Sequence, residues 1–139
     1  RMVVMVMDGQ GGGIGSVVIK ALRTAVKADV EILALGTNSA ATGRMMKAGA
    51  NRGATGENAI VQTSSKADVI MGPLAVLMAH AMMGEVTPRM AEAVSMSKAK
   101  KILIPLTQEK VTLVGITADP LPHLVEEAVR LVKEMVEHV

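Results

Sequence analysis

Apolar positions along this chain fall into two rhythms. Val3–Met7, Val30–Leu35, Asp68–Gly72 and Ile102–Pro105 are short, nearly unbroken apolar runs, the pattern of strands covered on both faces. Asn51–Ala54 reads as one further short strand. Between them the spacing changes: Val17, Val18, Ala21, Leu22 and Ala25 recur at helical intervals within Ile14–Lys27. Ser39–Ala48 reads as a helix with Ser39 as its N-cap and Gly49 as its stop, and Glu57–Ser65 as a helix entered through Thr55. Leu74–Met83 reads as a helix that is apolar nearly all round. Pro88–Ala99 reads as a second, capped by Thr87 with Pro88 at its first position. Val111–Ile116 reads as a last strand, joined to Ile102–Pro105 by the turn Thr107–Lys110, which suits an antiparallel hairpin and is too short for a parallel crossover. Pro122–His138 closes the chain as an amphipathic helix. The alternation predicts a three-layer α/β fold, a mainly parallel sheet with a C-terminal hairpin edge strand, in one domain over residues 1–139.

Composition narrows the chemistry. With 50% hydrophobic residues and a net charge of +2 spread along the chain, disorder is excluded and no nucleic-acid stripe stands out. The absence of Cys excludes disulfides, thiolate catalysis and Cys-ligated zinc. Neither Arg1–Met7 nor Val69–Met83 has the length of a signal core or a bilayer span, so a cytoplasmic protein with no membrane partner is expected. The chain has twelve Met and no Phe, Tyr or Trp. That reads either as a restricted alphabet, a simplified scaffold that keeps a natural fold without its activity, or as an unusual natural homologue.

The densest signal is "VMDGQGGGIG", Val6–Gly15, in which five of the seven residues from Gly9 to Gly15 are glycine. It lies where the first strand hands over to the first helix. Ligands of parallel sheets gather beyond the strands' carboxyl ends, and a helix N-terminus offers unpaired N–H groups to phosphate. A tight turn with no ligand is the alternative. Gly9, Gly13 and Gly15 form G-x-x-x-G-x-G, which resembles the short-chain dehydrogenase/reductase fingerprint. A G-x-G-x-x-G frame begun at Gly11 and Gly13 ends on Ser16, and no Lys precedes Ser16 as a Walker A loop requires. The resemblance implies NAD, NADP or another nucleotide. It does not extend to the reductases' Tyr-x-x-x-Lys, because this chain has no tyrosine. At the end of the second strand, where an acid often holds a ribose, stand Gly36, Thr37, Asn38 and Ser39; Arg44 follows as a partner for a 2′-phosphate or as a solvated charge.

"DGQGGGIG", "ALGTN", "AGAN", "GATGENAIV", "ADVIMGP", "GEVTP", "MAEAV", "SKAKKILIPL" and "PLPHLVEEAV" occur in that order. Together they resemble a small bacterial family known only as a Rossmann-like domain of unknown function. The resemblance spans nearly the whole chain and implies that fold and a nucleotide-type site, with no reaction attached.

The cofactor-binding candidates are therefore Gly9, Gln10, Gly11, Gly12, Gly13, Ile14, Gly15, Thr37, Asn38, Asn58, Gly72 and Pro73. Acid–base candidates are Asp8, Glu57 and Glu85, with turn, capping and first-turn roles as their plainer readings. His80 and His123 read as packed or structural and His138 as solvated; no histidine pair has metal-ligand spacing, so no metal is expected. Only one return helix is needed between Gly72 and Ile102, so Leu74–Met83 is surplus and is expected to cross the mouth of the crevice, bringing "GEVTP" near the glycines. The same surplus helix predicts a homodimer through Leu74–Met83. The function expected is nucleotide or phosphate binding, with a non-catalytic ligand sensor or interaction module as the alternative.

Overall fold

A computed structural model describes residues 1–106 and 109–138. Five strands, β1 (Val3–Asp8), β2 (Glu31–Gly36), β3 (Arg52–Thr55), β4 (Val69–Pro73) and β5 (Lys100–Ile104), form one sheet in the order β3-β2-β1-β4-β5. Every pairing is parallel, with Val6 opposite both Ala34 and Met71 in the central register. The helices are α1 (Gly13–Ala25), α2 (Ser39–Lys47), α3 (Glu57–Ser64), α4 (Pro88–Met96) and α5 (Leu121–Glu137).

The apolar runs are explained by burial on both sides. Val4 and Val6 point into a core with Val18, Ile19 and Leu22 of α1, Met45 of α2 and Val125, Val129 and Val132 of α5. Met5 and Met7 point the other way, against Ile60 of α3 and Met90 and Val94 of α4. This is the period-two alternation of a strand, invisible in hydropathy because both faces are apolar. Met5, Met7, Met45 and Met71 are among the largest fully buried side chains and fill the volume that aromatics usually occupy.

Two expected elements do not form. Val111–Ile116 is not a strand: the Val111 N–H bonds back to the Glu109 carbonyl and Gly115 takes φ 86°, bending the chain where a strand must run extended. The sheet among the described residues is therefore wholly parallel, with no hairpin edge strand; Thr107 and Gln108 of the expected turn lie outside those residues. Leu74–Met83 is not an α-helix. Leu74–Leu77 makes one 3-10 turn, Met78 is extended, and His80, Met82 and Met83 all have φ near +60°. Its inner residues Ala75, Val76 and Ala81 are buried against the α4 side of the sheet within this chain, so the surplus helix face that motivated a dimer there does not exist. The dense apolar run reflects tertiary burial rather than helical periodicity.

Caps moved as well. Asn38, not Ser39, caps α2, its Oδ1 accepting from the Ala41 N–H at 2.9 Å. Thr55 belongs to β3 and pairs with the Thr42 hydroxyl at 2.7 Å, while Gly56 precedes α3 without a side-chain cap. Thr87 caps α4 as expected, bonding the Met90 N–H at 3.1 Å.

Candidate functional site

The strand order reverses direction at β1, so the chain leaves β1 and β4 toward opposite faces of the sheet and a crevice opens between them. There a cleft of about 520 Å³ is lined by Asp8, Gln10, Ile14 and Pro73, with Ala75, Met82, Met83, Leu106 and Glu109 closing the β4 and β5 side. Its walls are largely apolar and its two charged lining residues are both acids.

The five glycines of the loop divide into two kinds. Gly12 has φ 72°, and a Cβ there would lie 2.9 Å from the Ala41 backbone. A Cβ at Gly15 would strike Met45 Sδ at 2.5 Å and Asp8 Cβ at 2.9 Å, so this glycine lets α1 settle onto β1 and α2. At Gly9 it would collide with the Thr37 hydroxyl, and with Met82 Sδ at 2.6 Å. These three are explained by the chain's own packing. Gly11 and Gly13 are different: a Cβ there meets nothing nearer than Arg44 Nη1, at 3.9 and 3.7 Å, and neither needs a positive φ. They leave an open strip of backbone beneath a guanidinium that also reaches the Gly11 carbonyl at 3.4 Å.

Asp8 is 4% exposed. Its Oδ1 accepts from the Gly9 N–H at 2.8 Å and its Oδ2 from the Gly15 N–H at 2.7 Å. Burial raises its pKa; the N–H groups of Gly15, Gly9 and Ile14 and the charge of Arg44 offset this only in part. Asp8 therefore organises the turn from within and occupies donors at the start of α1.

Glu85 does the converse from outside. It lies within the segment 78–86, which crosses the strand ends as a strap. Its Oε1 accepts from the Thr37 hydroxyl at 2.6 Å, the Gln10 N–H at 2.8 Å and Asn38 Nδ2 at 2.8 Å. Burial pushes the Glu85 carboxyl up, but these three donors outweigh it and hold the pKa below the ordinary glutamate value. The end of β2 lacks a local acid, and a carboxylate reaches it from 47 residues away. Of "GEVTP", Glu85 lies beside the glycine loop, while Val86 is buried and Thr87 turns to Glu57; the topological count was the only sequence signal for Glu85.

The remaining candidates separate from this centre. Glu57 accepts from the Thr87 hydroxyl at 2.5 Å and faces Arg89 at 3.7 Å, joining α3 to α4 away from the cleft lining. Asn58 is exposed in the first turn of α3. Gly72, at φ 155°, is buried behind Pro73, where any Cβ would run into the Met7 carbonyl. His80 is exposed on the strap rather than packed. Met82, Met83, Leu106 and Glu109 were missed, because only the fold brings these separated segments to one opening. Among the described residues, no group of three or more His, Asp or Glu is placed to hold a metal ion, and no helix is long and apolar enough to cross a membrane.

A family profile described as a domain of unknown function (DUF3842) matches residues 3–137. No curated protein matches the chain. Among solved structures, the dodecameric FMN-dependent UbiX-like decarboxylase from Escherichia coli O157:H7 aligns with a TM-score of 0.55 at 15% identity, covering 99% of this chain and 95% of that one. At that identity the likeness is one of fold.

Proposed function

This chain belongs to the DUF3842 family, and on that premise we propose that it binds a phosphorylated, nucleotide-type ligand in the crevice between β1 and β4. The observation that carries the reading is the pair Gly11 and Gly13, glycines that the fold itself does not require, lying open beside Arg44. Bare backbone and a guanidinium at the start of a helix suit a phosphate. The acidic and apolar cleft suits the uncharged ring system of such a ligand, with Ile14, Pro73, Met82, Met83 and Leu106 as its walls. Methionine sulfur packs well against flat rings. Flavin mononucleotide is the first candidate, since the fold neighbour is FMN-dependent; NAD, NADP, ATP, ADP and coenzyme A follow.

Calorimetric titration with each of these tests the reading. Saturable micromolar binding of one member, lost in Gly13→Val while the fold is kept, is the expected result. No saturation by any of them at millimolar concentration contradicts it.

A sensor is favoured over an acid–base enzyme acting through the three carboxylates. Asp8 is bonded to the turn, Glu57 to Thr87 and Glu85 to three donors, so each already has a structural task. Self-association, if it accompanies binding, uses other residues than the expected helix: Val114 is 97% exposed, with the exposed Val111, Leu113 and Ile116 beside it in sequence. Light scattering that gives a particle heavier than 14.5 kDa, reduced to a monomer by Val114→Lys, is the outcome expected of that surface.

A further inference from the structure

The contacts of Glu85 carry an inference beyond ligand binding in the cleft. Three donors from two loops converge on one carboxylate oxygen: the Gln10 N–H, the Thr37 hydroxyl and the Asn38 amide, all at 2.6–2.8 Å. Each is positioned without Glu85. The Thr37 N–H is tied to the Asp8 carbonyl at 3.0 Å. Asn38 is fixed by its capping bond to Ala41 and by a second bond from its Nδ2 to the Gln10 carbonyl at 2.9 Å. Gln10 holds φ 48° in the glycine turn. The space beneath is kept clear because residue 9 has no side chain. The cradle thus belongs to the rigid ends of β1 and β2, and it favours negative charge strongly enough to outweigh the burial of the group inside it.

The occupant belongs to a different kind of structure. Glu85 ends a strap in which His80, Met82 and Met83 adopt left-handed backbone at φ 57–69°, a conformation side chains resist. Most of the strap's other described hydrogen bonds close within the strap itself, as His80 N–H to the Val86 carbonyl and Gly84 N–H to the His80 carbonyl do, and Ala81 and Val86 anchor it in the core; Met82 N–H to Glu109 Oε1 at 2.8 Å reaches outside it. A preformed oxyanion cradle is filled by one side chain of a strained segment of the same chain.

We propose that the cradle of Gln10, Thr37 and Asn38 is an oxyanion subsite that Glu85 fills until a ligand's phosphate or carboxylate displaces it and frees the strap. This rests on the ligand reading above only in placing an anion at this end of the sheet. Binding would then change the exposure of the half-buried Met82, which is how a sensor of this build would report its ligand.

Inorganic phosphate at constant ionic strength is the probe, followed by amide chemical shifts. Glu85→Ala is expected to bind phosphate at least tenfold more tightly than the wild type, with shifts at Gln10 and Asn38. Adding Thr37→Val removes most of that gain, and adding Arg44→Ala does not. Unimproved affinity in Glu85→Ala, or a gain abolished by Arg44→Ala and indifferent to Thr37→Val, overturns the proposal. Should Glu85→Ala fail to fold, Glu85→Gln keeps the shape without the charge and is expected to gain about threefold; no gain there overturns it equally. In the wild type, saturating phosphate is expected to speed amide exchange over residues 80–86, and unchanged exchange contradicts displacement. Failure of FMN and the other nucleotides to bind leaves these outcomes standing, so the two readings fall separately.

Discussion

The loop after β1 and the strap after β4 face each other across one crevice, yet they solve the same problem in opposite ways. The first must turn sharply and relies largely on glycine to do so: Gly12 takes a left-handed position, with Gln10 beside it at φ 48°, and Asp8 ties the Gly9 and Gly15 N–H groups from a buried position. The second turns just as sharply but gives the left-handed positions to His80, Met82 and Met83 as well as Gly84. At about 1–2 kcal/mol for each non-glycine residue, the strap's three such residues carry more strain than the glycine loop's one, Gln10. One side of the crevice is built to stay, and the other is held in place from outside by Glu85.

The largest effects should come from crowding the rigid side. Gly9→Val drives a side chain into Thr37, Met82 and Glu85 and is expected to lower stability by about 3 kcal/mol, as overpacking does. Gly11→Val meets only the flexible tip of Arg44 and should cost under about 0.5 kcal/mol, as surface changes do. Urea melts of the two variants check this, and equal losses would erase the distinction between packed and open glycines.

Next come the two carboxylates. Asp8→Ala orphans buried N–H groups and should cost about 2–3 kcal/mol. Glu85→Ala leaves donors that water can reach and should cost about 1 kcal/mol or less. A larger loss at Glu85 would make the strap the rigid element and reverse the comparison.

Their pH dependence should differ in sign. Asp8 has a raised pKa in the folded chain, so its charge opposes folding, and stability is gained as pH falls through that raised value toward the unfolded one. Glu85 has a lowered pKa, so its contribution is complete above the unfolded value and is lost as pH falls through the folded one. Acidification should therefore add stability through Asp8 and remove it through Glu85. Urea melts over the acidic range should show the gain missing in Asp8→Ala and the loss missing in Glu85→Gln.

The smallest effect sharpens the strain argument. Met83 is 94% exposed at φ 57°, so Met83→Gly loses little packing and relieves the backbone. Relief offset by glycine's extra unfolded-state entropy leaves a net gain of about 0.5 kcal/mol. A loss of stability in that variant would show the strap to be unstrained.

Much of the fold was legible because parallel strands buried on both faces leave dense apolar runs, as Val3–Met7 and Asp68–Gly72 do. The same density misled at Leu74–Met83, where burial against the sheet imitated an all-apolar helix. It misled again at Val111–Ile116, whose β-branched residues have no neighbouring strand to pair with. For the candidate site, the glycine run pointed to the strand ends where the cleft opens but could not sort Gly11 and Gly13 from Gly9, Gly12 and Gly15. That sorting depends on what lies above each Cα, including Met82 and Glu85, more than seventy positions away in the chain. Asn38 displaced Ser39 as a cap although both residue types can cap: Asn38 is the extended residue before α2, and its Oδ1 accepts from the Ala41 N–H.

The most direct measurement is a map of backbone amide shifts during titration with FMN or whichever nucleotide binds best. The largest changes are expected at Gly11, Gly13 and Ile14, with the Arg44 side chain moving alongside. Changes that cluster instead around the groove between α3 and α4, at Val61, Arg89 and Met96, with the glycine loop silent, would contradict the account.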